Sequence, residues 1–148
     1  MDNRGAFLMM IRACEGTAGP DGYRMLFGGH IFDDMSQHPN VAVRFQQTDG
    51  TWSYTTAAGA YQFLYRIWLS LIAKLGLHDF TPPSQDAGAI ELVKEAGALG
   101  MVDGGDLQGA INRCSRIWAS LPASFYPQPR RTFAFASQAY VGAGGTIT

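Results

Sequence analysis

The chain has 148 residues, of which 47% are hydrophobic and 16% charged, and its net charge is −1 at pH 7. This composition is typical of a globular protein with a substantial core and excludes a disordered chain. The nearly balanced charge gives no field that would attract nucleic acid or an anionic membrane. No stretch approaches the roughly 20 apolar residues that span a bilayer. We therefore expect one domain over residues 1–148, with no nucleic-acid binding and no membrane insertion.

The first predicted element is a helix over residues 4–15. Its apolar residues recur at helical spacing on one face: Phe7, Met10, Ile11 and Cys14. Glu15 follows Ile11 by four residues and leans toward the same face, and Gly16 favours a helix end there. Partial burial and the negative end of the helix dipole would both raise the pKa of Glu15, as a general acid working near neutral pH requires. The structural alternative is a solvated glutamate at a helix end.

A loop is expected over residues 16–40, and a β-hairpin follows it. Residues 41–47 and 51–56 are rich in strand formers, and Thr48-Asp49-Gly50-Thr51 between them is a turn signal. We therefore expect one small antiparallel hairpin here.

The rest of the chain is predicted to be mainly helical, over residues 59–75, 85–96, 107–121 and 131–140. The wide apolar face of the first of these helices indicates a largely buried central helix. Ser84 and Asp106 are the expected N-caps of the second and third. Proline-rich residues 122–130 are expected to be irregular, and residues 142–148 to form a frayed tail. The predicted class is α+β, mostly helical with one small hairpin lobe.

Other candidate chemistry is sparse. Cys14 and Cys114 lie on apolar faces, so buried free thiols are expected, although spacing alone leaves a disulfide open. The three histidines have no metal-ligand spacing and are expected in surface or loop roles: His30, His38 and His78. The pair Asp33-Asp34 is more typical of a solvated loop than of a cation site. No metal site is predicted.

A domain of this size with one poised glutamate, a hairpin and several helices matches the plan of glycan-cleaving lysozymes, whose groove runs between a hairpin lobe and a helical lobe. Further support comes from short segments that follow one another along nearly the whole chain: Ala6-Phe7-Leu8, Glu15-Gly16-Thr17, Gly28-Gly29, His38-Pro39, Tyr61-Gln62, Leu75-Gly76-Leu77, Ser84-Gln85-Asp86-Ala87, Gly97-Ala98-Leu99, Arg113-Cys114-Ser115 and Ile117-Trp118-Ala119-Ser120-Leu121-Pro122. In these segments the chain resembles the lambda-type phage endolysins.

The resemblance implies a lysozyme-like fold and cleavage of the β-1,4 bond between N-acetylmuramic acid and N-acetylglucosamine in peptidoglycan. The family acts as a lytic transglycosylase, leaving a 1,6-anhydromuramic end, and uses one catalytic glutamate, by position Glu15. It needs no metal or organic cofactor. Tyr61 and Gln62, just past the hairpin, are expected to face the groove, and Tyr126 to line its other wall. A structural role is the alternative for each of these three.

Two other functions stay open. A hydrolytic muramidase would need a second carboxylate. Another phage lysozyme family places an aspartate nine residues after its glutamate, but that position is Arg24 here, which also departs from an acidic residue of the lambda-type pattern. Asp21, Asp33 and Asp34 are the unplaced candidates. The other alternative is a non-catalytic glycan-binding or virion protein, since fold alone does not fix function.

The N-terminal sequence shows no secretory signal, because its apolar stretch Ala6–Ile11 is short and Asp2 stands ahead of it. Together with the resemblance, this predicts a monomer that accumulates in the host cytoplasm. A separate pore-forming protein would release it to the cell wall in the periplasm, where its partner is the glycan strand.

Overall fold

The computed structural model describes residues 1–126 and 128–148, which contain six α-helices and one two-stranded sheet. The elements in chain order are α1 (Asn3–Glu15), β1 (Val43–Gln46), β2 (Trp52–Thr55), α2 (Tyr65–Leu75), α3 (Pro82–Glu95), α4 (Leu99–Gly104), α5 (Leu107–Cys114) and α6 (Phe133–Gly142). A short 3₁₀ turn, Gly22–Arg24, lies between α1 and β1. The predicted α+β class is confirmed.

Helix α1 forms where the apolar spacing predicts it, and it packs against α3, α4 and α6. The Asp2 carboxylate accepts a hydrogen bond from the Gly5 amide at 2.8 Å and so caps the helix start. Gly16 takes the left-handed conformation, with φ +79°, and the Thr17 amide then donates to the Arg12 carbonyl at 2.8 Å. This glycine-dependent ending makes Glu15 the last helical residue.

The hairpin also lies where it was predicted. β1 and β2 pair antiparallel from Val43 opposite Thr55 to Gln46 opposite Trp52. In the turn, the Asp49 carboxylate accepts from the Thr51 amide at 3.0 Å and from its hydroxyl at 2.6 Å. Side chains alternate along each strand, so the two faces of the hairpin have different surroundings.

The predicted helix over residues 59–75 is wrong at its start and in its burial. Gly59 and Gln62 have φ values of +84° and +50°, which no α-helix accommodates, so α2 begins only at Tyr65. Within α2 only Trp68 and Leu71 are buried. Several of its other apolar residues face solvent, and α2 is therefore a surface helix rather than a central one.

The helices after α2 differ in detail from the predictions. α3 begins at Pro82, and the Ser84 hydroxyl donates to Asp79 at 2.6 Å instead of capping the helix. α5 begins after Asp106, which caps it as predicted, but it ends at Cys114 rather than at residue 121. The short helix α4 was not predicted.

The tail was wrongly predicted to fray. The Thr146 amide donates to the Asn3 side chain at 2.9 Å, and the Thr148 amide donates to the Gly105 carbonyl at 3.1 Å. The Tyr140 hydroxyl donates to the Thr146 carbonyl at 3.1 Å. These bonds join the tail to the start of α1 and the end of α4.

Gln85 on α3 joins three segments of backbone and is fully buried. Its Oε1 accepts from the Ala60 amide at 2.9 Å, and its Nε2 donates to the carbonyls of Tyr23 and Phe80 at 2.9 and 2.8 Å. One side chain therefore satisfies polar groups on both loops that flank the hairpin and on the chain entering α3.

We predict that Gln85→Ala lowers the free energy of unfolding by about 2–4 kcal/mol, because three buried backbone groups lose their partner. Urea denaturation measures this. The control is Gln108→Ala, which removes an exposed glutamine whose side chain donates to Asn112. Similar small losses in both variants would contradict the role given to Gln85.

Candidate active site

A cleft of about 1050 Å³ lies between the hairpin and the helices. The hairpin side contributes Phe27, Phe45, Gln46 and Thr55, and the helical side contributes Ile67, Leu92 and Glu95. Residues 116–120, 126 and 128–131 line a third side. Both the hairpin lobe and the helical lobe contribute lining residues, so the cleft lies between the two lobes that the sequence predicts.

Glu15 lies in the lining of this cleft and is half-buried. The Ser120 hydroxyl donates to its Oε1 at 3.0 Å. Burial raises the pKa of Glu15 to about 7, and the Ser120 hydrogen bond acts in the opposite sense by favouring the ionised form. Burial of Glu15 thus supports the raised pKa expected from the sequence, and a pKa in this range lets the carboxyl both donate and accept a proton near neutral pH.

Buried Arg12 anchors the backbone that follows Glu15. Its Nε and Nη2 donate to the Thr17 carbonyl at 3.1 and 3.0 Å, and its guanidinium lies 4.5 Å from the centre of the Tyr23 ring. The Thr17 hydroxyl donates to the Ala60 carbonyl. The end of α1 is therefore tied to the loops on either side of the hairpin, which fixes the position of the Glu15 backbone.

Ser120, the hydrogen-bond partner of Glu15, is also held in place. The Ser120 carbonyl accepts from the Arg131 amide at 2.7 Å. Two residues before Ser120, the buried indole of Trp118 donates to the Tyr61 carbonyl at 2.9 Å. No local sequence pattern indicates the role of Ser120, although this residue lies in the longest of the family-like segments.

Gln62 and Tyr126 both line the cleft, together with Glu15. Gln62 Nε2 donates to the carbonyls of Met25 and Gly59 at 3.1 and 2.9 Å. The Tyr126 hydroxyl donates to the Arg116 carbonyl at 2.6 Å. Both side chains are thus anchored at the wall and present their remaining surface to the cleft.

The expectation that Tyr61 faces the groove is wrong. Its side chain is 1% exposed and outside the cleft lining, and its hydroxyl donates to Asp86 at 2.6 Å. The Tyr23 hydroxyl donates to the same carboxylate at 2.8 Å. Because Gln62 has a positive φ, the two neighbours do not share a helical face, and Tyr61 takes the structural role.

The candidate second carboxylates from the sequence all lie outside the described lining. Asp21 and Asp33 form ion pairs with Arg24, at 3.0 and 3.4 Å. Asp34 accepts from the Ser36 amide at 2.9 Å. Sequence reasoning did not identify Glu95 as a cleft carboxylate, although it lines the cleft. Its carboxylate forms an ion pair with Lys74.

Cys14 and Cys114 are buried free thiols, as expected, and burial raises the pKa of Cys14 to about 11. His38 is a buried loop histidine. Its Nε2 donates to the Phe63 carbonyl at 2.7 Å and its Nδ1 accepts from the Asn40 amide at 3.0 Å, an arrangement that needs the neutral ring. Among the described residues, no group of three or more His, Cys, Asp or Glu side chains is placed to hold a metal ion.

A glutamate with a near-neutral pKa, set in a cleft between a hairpin and a helical lobe, defines a lysozyme-like protein. A family model described as Endolysin matches residues 5–147. The chain is 41% identical to the endolysin of Escherichia phage lambda, covering 99% of this chain and 94% of that protein, and 38% identical to the endolysin of Escherichia phage P2, covering 97% and 93%. The chain belongs to the endolysin family.

Solved structures show the same relationship. The fold matches bacteriophage lambda lysozyme in complex with a chitohexasaccharide with a TM-score of 0.90, covering 99% of this chain and 96% of that one. A second structure of lambda lysozyme matches with a TM-score of 0.84. In the part of the chain that the structure describes, no helix has the length and apolarity needed to cross a membrane.

We predict that Glu15→Gln stabilises the folded protein at alkaline pH. Because the folded pKa of Glu15 is raised above its unfolded value, its contribution to stability is fully present below about pH 4.5 and is lost as pH rises through about 7. The neutral amide escapes this loss. Melting temperatures of both proteins between pH 4 and 9 should therefore diverge with rising pH, in favour of the variant. A constant difference would contradict the raised pKa.

Proposed function

We propose that the protein is a cell-wall-lysing endolysin that cleaves the β-1,4 bond between N-acetylmuramic acid and N-acetylglucosamine and leaves a 1,6-anhydromuramic end. The observation that carries this proposal is the carboxyl of half-buried Glu15, with a pKa of about 7, in a cleft of about 1050 Å³ between the hairpin and the helices. Bound sugar is known from the related lambda lysozyme, which was solved with a chitohexasaccharide.

In the first step, protonated Glu15 donates its proton to the glycosidic oxygen while the bond from that oxygen to the muramic anomeric carbon breaks. In the second step, the muramic 6-hydroxyl oxygen bonds to the anomeric carbon, and its proton passes to the Glu15 carboxylate. The carboxyl is then restored, and no water is consumed. The nucleophile belongs to the substrate, so its effective concentration is high.

Burial and Ser120 suit Glu15 to both steps. Burial favours the protonated acid that begins the reaction. The Ser120 hydroxyl, 3.0 Å away, stabilises the carboxylate that forms in the middle of it. We further propose that Gln62 and Tyr126 contact the glycan from opposite walls of the cleft.

Hydrolysis of the same bond is the second candidate, and the observation that favours it is Glu95 in the cleft lining. A hydrolytic enzyme would use that carboxylate to activate water or as a nucleophile. The ion pair with Lys74 counts against this role, because it already holds the Glu95 carboxylate.

The cellular setting is proposed from family membership. The protein would act as a monomer, accumulate in the host cytoplasm and reach the wall through a separate pore-forming protein. Lysis by the chain expressed without any pore-former would contradict this route.

We predict that Glu15→Gln reduces cleavage of purified peptidoglycan by about 10²–10⁴-fold, the usual contribution of a general acid. The matched control is Glu91→Gln, an equal charge change on α3 outside the cleft lining, which should retain activity. Full activity in Glu15→Gln would contradict the catalytic role.

Mass spectrometry of the new glycan ends separates the two chemistries. The unaltered protein should produce anhydromuramic ends, lighter than reducing ends by one water. Reducing ends that disappear in a Glu95→Gln variant would establish hydrolysis instead.

A further inference from the structure

We propose that the cleft contains a carboxylate-binding wall, formed by Arg116, Arg130 and Arg131, that recognises the acidic groups carried by muramic acid in the glycan. This proposal rests on the proposed function and specifies which part of the substrate the cleft selects. The ligand chemistry is a carboxylate, supplied either by the lactyl group of muramic acid or by the peptide attached to it.

The charge of the cleft is opposite to that of the chain. The chain has a net charge of −1, yet its cleft lining has four arginines and two glutamates: Arg66, Arg116, Arg130 and Arg131 face Glu15 and Glu95. Glu95 is paired with Lys74, and Glu15 is partly protonated near neutral pH. A cleft with this excess of cations concentrates anionic ligands.

The arginines of the wall are open to a ligand. In residues 1–126 and 128–148, none of the four cleft arginines forms an ion pair with a carboxylate. All four are exposed at the residue level. A guanidinium is weakly hydrated and matches a carboxylate with two parallel hydrogen bonds, so unpaired arginines in a cleft suit this ligand.

The wall is also anchored by one edge of each guanidinium. Arg116 Nε donates to the Arg113 carbonyl at 3.2 Å, Arg131 Nε donates to the Cys14 carbonyl at 3.4 Å, and Arg130 Nη1 donates to the Ser124 carbonyl. The Arg131 guanidinium also lies 4.6 Å from the centre of the Phe135 ring. Within the described part of the chain, the remaining side-chain N–H groups of these three arginines have no hydrogen-bond partner. Partial anchoring lowers the entropy lost when a carboxylate binds.

Among the described residues, no guanidinium of the wall forms an ion pair or hydrogen bond with the Glu15 carboxyl, although Arg131 donates to the carbonyl of the adjacent Cys14. Burial and Ser120 set the pKa of Glu15, with no contribution from a cation. A guanidinium in contact with Glu15 would lower that pKa and weaken the acid. The wall is therefore free to bind acidic substituents of the sugars, and a neutral chitin-like glycan offers it no carboxylate.

The test measures binding by calorimetry in a Glu15→Gln background, which prevents turnover. The probes are three glycans of equal length: a neutral chitohexasaccharide, a peptidoglycan hexasaccharide with free lactyl carboxylates, and the same hexasaccharide bearing stem peptides. The double variant Arg116→Gln/Arg130→Gln is compared with Arg44→Gln/Arg113→Gln, an equal charge change at exposed arginines outside the lining.

We expect the cleft variant to lose about tenfold or more in affinity for an acidic probe, with unchanged affinity for the neutral one. The control should lose neither. Loss on the lactyl probe assigns the site to the lactyl carboxylate, and loss confined to the peptide-bearing probe assigns it to the peptide. Equal losses on neutral and acidic probes, or no loss, would overturn the proposal.

Salt dependence gives a second measurement that needs no cleft variant. With all arginines present, rising ionic strength should weaken binding of the acidic probes and spare the neutral one. Equal salt dependence for all three would overturn the proposal. Failure of every probe to bind would contradict the proposed function itself. Failure of the carboxylate-binding wall alone would leave binding intact but without a preference for acidic probes.

Discussion

The burial of one carboxyl group, that of Glu15, is the constraint on which the rest of the site depends. A carboxyl group in water is ionised at neutral pH and cannot act as an acid there. Burial at the end of α1 raises its pKa to about 7, and this places both protonation states within reach. The cost is a group that destabilises the folded protein once it ionises, as is common where function requires local strain.

Keeping this carboxyl buried requires contacts from distant parts of the chain. Gly16 ends α1 directly after Glu15, and Arg12 and Thr17 then tie the departing chain to the loops around the hairpin. Ser120 reaches the carboxyl from 105 residues away. Gln85 joins the loops that flank the hairpin to the start of α3. The hydrogen-bond partners of the site are thus largely backbone groups, so the position of Glu15 depends on the fold and not on one neighbour.

The sequence predicted best what depends on local pattern. The helix that ends at Glu15 and the hairpin each follow from spacing and turn residues within a few positions, and both lie as predicted. The placement of Tyr61 failed because its environment depends on Asp86, and the left-handed backbone of Gln62 is not visible in helical spacing. The docking of the tail failed for the same reason, since Asn3 and Thr146 are remote in sequence.

For the candidate site, the sequence identified the acid and one reason for its raised pKa, but not its surroundings. Ser120 lies in a family-like segment whose role no local pattern reveals. Glu95 and the cleft arginines are ordinary surface charges in the sequence, and only the folded chain gathers them on one cleft. The wide apolar face over residues 59–75 also led to a wrong prediction of a buried central helix, because α2 exposes several of its apolar residues to solvent.

Direct titration of Glu15 by NMR is the measurement that tests this account most closely. The chain has three glutamates, so labelling their side-chain carboxyl carbons gives few resonances, and Glu15→Gln identifies the one in question. We predict a midpoint near pH 7, which moves higher in Ser120→Ala because a hydrogen bond to the ionised form is lost. A midpoint below about pH 5, the range of an ordinary glutamate, would contradict it.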